Sequence, residues 1–247
     1  SEGARNEAVN IVSTDSCTFA KAKTIDDATN SGSNTYDISD SATAIAAGVG
    51  SSSNAISNAG TVKTNTYATV AEATTISGLT KAVTYSVNDT SAALAASGGN
   101  SLSEATIVHF SDQANTTQFN TINAATEASL VLLAGIADNV LNYTDANGNA
   151  TTALTNLNTE DADCVITVNN VANVVQFDAI NTKTTSNVIL TGGVQDVVAK
   201  FAAANGTITA SLTAISTQDG DVAITVTDTV NVAQATTIAN ATIKYVK

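Results

Sequence analysis

The sequence predicts an α/β repeat solenoid, with parallel β-strands stacked as a β-helix-like rod and a short helix or helical turn in many coils. Three observations predict it: a segment that recurs without gaps, a column of helix-capping residue types inside that segment, and a period-two apolar pattern just before it. The apolar composition agrees. Of 247 residues 43% are hydrophobic and only 4% aromatic, with no Met, Trp or Pro, so small side chains dominate and suit thin, closely stacked layers.

The recurring segment is clearest at Val226-Thr-Asp-Thr-Val-Asn-Val-Ala-Gln-Ala-Thr-Thr-Ile238, which aligns on 13–25, 64–76, 110–122 and 168–180. Its terminal isoleucines, Ile25, Ile76, Ile122, Ile180 and Ile238, are separated by 51, 46, 58 and 58 residues. One column holds Asp15, Thr66, Asp112, Asn170 and Asp228, residue types whose side-chain oxygen accepts the free N–H groups of a helix start. An apolar stripe with a spacing of three follows it, for example Val70/Ala73/Ile76/Leu79 and Val174/Phe177/Ile180, which keeps one face of a short helix apolar. Before the column, Cys164, Ile166 and Val168 alternate with Val165 and Thr167, as Val222, Ile224 and Val226 do with Ala223 and Thr225. That alternation predicts a strand with one buried face.

A second kind of coil is interleaved. Tyr36-Asp-Ile-Ser-Asp-Ser-Ala-Thr-Ala-Ile45 matches Tyr85-Ser-Val-Asn-Asp-Thr-Ser-Ala-Ala-Leu94, with Asp40 and Asp89 as caps. Later copies, 130–140 and 188–197, keep the apolar spacing but carry Gly135 and Gly192 where the Asp is expected. Turns are marked by Gly48-Val-Gly50, Gly98-Gly99, Asn147-Gly148 and Asn205-Gly206. Strands joined through helical connections run parallel, which gives a single elongated solenoid domain, 1–247, with units of approximately 9–60, 61–104, 105–162, 163–220 and 221–247.

These phrases resemble the repeats of long bacterial surface proteins, including large adhesins and surface-layer-like proteins. The resemblance implies extracellular scaffolding or adhesion and brings no catalytic residues with it. The expected function is that of an extracellular structural protein self-associating into a surface layer, filament or adhesin stalk. Its expected partners are copies of itself, through the solenoid ends or flanks, and a glycan or cell-surface receptor. Two alternatives stand beside it: a virion-surface or phage fibre or decoration protein that binds a host receptor, and an ice-binding protein using Thr167 and Thr225, although Lys63, His109 and Val12 break the regularity of that column.

Charge excludes some classes. A formal net charge of -13 repels phosphate backbones, so no nucleic-acid partner is expected. No apolar run approaches the roughly 18 to 20 residues of a spanning helix, so no membrane insertion is expected. No enzymatic activity is expected either, since His109 is the only histidine and falls on the strand face opposite Val108 and Phe110. Cys17 and Cys164 are expected to be free thiols, too far apart in the repeat register to bridge. No cofactor is expected, with calcium as the one candidate ion. Asp161-Ala-Asp163 and Asp219-Gly-Asp221 precede two strands in one column, and Asp145-Ala-Asn-Gly-Asn149 begins like a calcium loop but has Asn156 where a bidentate Glu would close it.

Overall fold

The computed structural model describes residues 10–50, 54–97, 100–244 and 246. The Gly98-Gly99 turn lies outside the described residues. In chain order the first elements are β1 (Ile11–Val12), α1 (Phe19–Asp26), β2 (Asn34–Thr35), β3 (Ile38–Asp40), α2 (Ala42–Gly48), α3 (Ala55–Asn58), β4 (Val62–Thr64), α4 (Val70–Ser77), β5 (Val87–Asp89), α5 (Ser91–Ala96), α6 (Asn100–Ser103) and β6 (Ile107–Phe110). There follow α7 (Thr116–Asn123), β7 (Ser129–Leu132), β8 (Ile136–Asp138), α8 (Val140–Tyr143), α9 (Thr152–Glu160), β9 (Ile166–Val168), α10 (Val174–Asn181), β10 (Val188–Leu190), β11 (Val194–Asp196), a 3-10 turn (Val198–Lys200), α11 (Ala210–Gln218), β12 (Ile224–Val226) and α12 (Val232–Asn240).

The expected solenoid does not form. The strands fall into five separate parallel sheets of two or three strands, β1–β2, β3–β4, β5–β6–β7, β8–β9–β10 and β11–β12, and none closes on itself. With twelve α-helices among the described residues the result is a mixed α/β fold rather than a β-helix rod. The physical reason lies in strand length and turn chemistry. Strands of two to four residues give each pair few ladder positions, and tight turns then pass the chain into a new sheet. At the end of β10 the Gly193 N–H donates to the Leu190 carbonyl at 2.9 Å, and Gly193 adopts φ +80. The next strand, β11, pairs with β12 and not with the sheet just left.

The chain divides into two compact units, one comprising the described residues up to Ser111 with Thr121–Leu130, the other Asp112–Asn120 with the residues from Val131 onward. In the first, Tyr36, Ile38, Ile45, Ile76, Tyr85, Val87 and Val108 are buried. In the second, Ile136, Tyr143, Leu154, Ile166, Phe177, Phe201, Leu212 and Ile224 are buried. The period-two strands behave as their pattern dictates: Ile166 pairs with Ile136 on one side and Val188 on the other, and all three point inward.

Threonine-rich helices such as α4 and α11 persist because hydroxyls that compete with the helix bond back onto it. Thr74 and Thr75 donate to the carbonyls of Val70 and Ala71, and Thr213 and Thr217 to those of Thr209 and Thr213. The Asn147-Gly148 and Asn205-Gly206 turns form, with φ +80 at Gly148 and +84 at Gly206. Each closes a small antiparallel bridge, Thr144 with Ala150 and Ala202 with Ile208.

Candidate functional site

The column residues do not cap the helices that follow them. The caps of those helices lie three residues later, or one in the second kind of coil. The N-caps are Thr18, Ser41, Thr69, Thr90, Asn173 and Asn231, in place of Asp15, Asp40, Thr66, Asp89, Asn170 and Asp228. Asn115 stands in the same way after Asp112, exchanging hydrogen bonds with Gln118. Full capping boxes occur at Thr69/Glu72, Asn173/Gln176 and Asn231/Gln234. The T/N-x-x-E/Q spacing is visible in the sequence and locates these helix starts.

The column residues instead reach back to the helix before them. Asp40 Oδ2 accepts the Phe19 N–H at 2.9 Å, Thr66 Oγ1 that of Ala42 at 3.0 Å, and Asp89 Oδ2 that of Val70 at 3.0 Å. In the second unit Asp138 accepts from Thr116, Asn170 from Val140, Asp196 from Val174 and Asp228 from Val198. Each donor is the first residue of its helix or 3-10 turn, where the N–H has no partner within the helix and a carboxylate also meets the positive end of the dipole. Asp40, Asp89, Asp138 and Asp196 add a second bond from their other oxygen to the following backbone N–H. Asp138 and Asp196, 58 residues apart, are the acids of the second coil type that Gly135 and Gly192 had seemed to replace.

The calcium candidates are engaged by protein donors. Asp145 accepts the N–H groups of Asn147 and Asn149 and the Asn149 side-chain amide. Asp161 Oδ2 takes the Leu132 N–H at 2.6 Å, and Asp219 Oδ2 the Leu190 N–H at 2.7 Å. Asp163 and Asp221 are exposed, and Asp221 pairs with Lys244 at 3.1 Å. Among the described residues no three His, Cys, Asp or Glu side chains converge as metal ligands.

Burial pushes the Asp161 carboxyl up to about 6, against the Leu132 N–H bond that opposes the rise, and its neighbour Asp163 adds to the increase. Asp219 is raised for the same first reason. A carboxyl whose folded pKa lies above its unfolded value favours folding most at acid pH, and that contribution is lost as pH rises through the folded value. Asp161→Asn keeps an acceptor for Leu132 but removes the buried charge. It is expected to raise stability at pH 7 by about 1 kcal/mol after allowance for solvent screening, and to leave it unchanged at pH 4. Denaturant unfolding at the two pH values checks this.

His109 is half-buried on the strand face opposite Val108 and Phe110 and stacks on Tyr67, with ring centroids 4.6 Å apart. Cys17 and Cys164 are free and buried. Burial pushes the Cys164 thiol up to about 12, with Asp161 contributing, which keeps it protonated and unreactive.

One face departs from the internal repeat. Val174, which begins α10, is 1% exposed, whereas Val232, its equivalent 58 residues on, is 84% exposed. Ala172 and Val230 differ in the same sense, at 1% and 44%. In the earlier copy β11 covers the position and Asp196 accepts the Val174 N–H. Among the described residues the Val232 N–H has no acceptor. No helix among the described residues is long and apolar enough to cross a membrane. Compared with profiles of known protein families, with curated proteins and with solved structures, the chain matches none.

Proposed function

We propose that the chain is an extracellular structural protein that associates with copies of itself, as in a surface layer, filament or adhesin stalk. The observation that carries this reading is apolar surface left exposed on short elements: Val230 and Val232 beside the start of α12 are 44% and 84% exposed, and Val12 in β1 is 63% exposed. Contact with a second copy covers these side chains. The exposed Val12, at 63%, and the exposed Val230 and Val232 are then removed from water, each worth about 1–3 kcal/mol when fully buried. The resemblance to bacterial surface repeats and the acidic, Thr- and Asn-rich composition agree with an extracellular setting.

Sedimentation velocity from micromolar to millimolar protein tests the proposal. The expected result is a concentration-dependent series of oligomers that Val232→Asp and Val12→Asp each weaken, since both side chains are exposed. A monomer at every concentration, or association indifferent to both substitutions, overturns it.

A further inference from the structure

Aromatic side chains in this chain are almost all enclosed: Tyr36, Tyr85, Tyr143, Phe110, Phe119, Phe177 and Phe201 are each at most 2% exposed. Among the described residues Phe19 is half-buried and Tyr67 is exposed, at 51%. It borders a cleft of about 480 Å³ in the first unit, with Thr64, Asn65, Thr66, Thr84, Ser86 and Thr106 around it and the buried Tyr85 at its floor. No ionisable carboxylate, lysine or arginine lines the cleft. Its walls are short hydroxyls and one amide.

The cleft is preorganised. The turn after β4 is pinned on both sides of Tyr67, by the Asn65 N–H donating to the Asp40 carbonyl at 2.8 Å and the Ala68 N–H to the Ser86 carbonyl at 2.8 Å. His109 buttresses the Tyr67 ring at an interplanar angle of 47°, which fixes the ring and leaves its remaining surface open. Ser86 Oγ and Thr106 Oγ1 are linked at 2.9 Å, and Thr106 Oγ1 donates to the Tyr85 carbonyl, so the hydroxyls are held in a defined array. Burial pushes the His109 imidazole below its ordinary range, and at neutral pH it is uncharged.

We propose that this cleft is a binding site for a neutral saccharide, with one pyranose ring stacked on Tyr67 and its hydroxyls bonded to Thr84, Ser86, Thr106 and Asn65. A sugar ring presents a face of C–H groups carrying partial positive charge, which complements the negative face of an aromatic ring. Its edge presents alternating donors and acceptors, and a hydroxyl matches these because it both donates and accepts. An anionic ligand is disfavoured by the net charge of the chain, and an apolar ligand would leave the hydroxyls desolvated without partners.

The test is titration of the whole chain with glucan, mannan and chitin hexasaccharides. Binding is followed by intrinsic tyrosine fluorescence and by NMR shifts of the Tyr67 and His109 rings, with a hyaluronan fragment of equal length as the anionic control. At least one neutral hexasaccharide is expected to bind with shifts centred on Tyr67. Tyr67→Ala, at an exposed position that leaves the fold intact, is expected to weaken it roughly tenfold or more, while Tyr67→Phe stays near wild type because stacking is kept. No binding by any neutral hexasaccharide, equal affinity for the anionic fragment, or binding unaffected by Tyr67→Ala overturns the assignment.

Discussion

Gly192→Ala is expected to destabilise the second unit by about 3 kcal/mol or more, a large part of the stability of an ordinary domain. A Cβ at Gly192 would lie 2.1 Å from the carbonyl carbon of Asn170 and 2.5 Å from its Cα and oxygen. These are backbone atoms, so relief requires moving the chain. The segment that would move carries the Asn170 side chain, whose Oδ1 accepts the Val140 N–H at 2.7 Å, and the cap of α8 is lost with it. Next to it, Gly193 combines φ +80 with a Cβ position 2.6 Å from the Ala223 carbonyl oxygen, and Gly193→Ala is disfavoured on both counts. Gly50 is the control: a Cβ there meets nothing within 4 Å among the described residues, so Gly50→Ala is expected to be near neutral. Denaturant midpoints of the three variants measure the difference.

Asp138→Ala is expected to cost about 2–3 kcal/mol at neutral pH. Its Oδ2 accepts from the Thr116 N–H at 3.1 Å and the Thr116 hydroxyl at 2.6 Å, and its Oδ1 from the Asn139 N–H and the Asn142 amide. Truncation orphans the first N–H of α7 and a buried hydroxyl together. Burial by itself raises this carboxyl, but the hydrogen bonds from Thr116, Asn139 and Asn142 outweigh it and the net shift is downward. The sign of the pH effect follows: the stabilisation is present above the ordinary carboxylate value and fades as pH falls through the lower folded value. The gap between wild type and Asp138→Ala in urea unfolding is therefore expected to be widest near pH 7 and to narrow in strong acid. Asp138→Asn, which keeps one acceptor oxygen, falls between them.

Much of the local structure was legible in the residues. Alternation at Ile166/Val168 and Val222/Ile224 marks strands because one sheet face is buried and the other is not. The 58-residue spacing of Asp161 and Asp219, and of Gly148 and Gly206, corresponds to matching hydrogen bonds and matching turns. The helix caps were misplaced by one or three residues because Asp in a loop has the chemistry of a cap whether it serves its own helix or another. The decisive contact, from Asp40 to Phe19 or from Asp196 to Val174, joins residues 21 or 22 positions apart and leaves no local periodicity. The global arrangement was misread for a related reason. A repeat specifies that strands recur, but not which strand each one pairs with, and strands this short allow the turn at Gly193 to hand the chain to a new sheet. The cleft beside Tyr67 was invisible in sequence, since Tyr67 and His109 meet only through the register that sets Asn88 beside His109.

Amide hydrogen exchange at the residues that begin each helix tests the account most directly, because it reads the back-reaching bonds and the exposed start of α12 in one measurement. Phe19, Val70, Thr116, Val140, Val174 and Val198 are predicted to be protected at every concentration. Val232 is predicted to exchange freely in dilute protein and to slow as concentration rises and another copy covers it. A Val232 amide that exchanges at the same rate throughout, or helix-starting amides that exchange as fast as Val232 does, would contradict it.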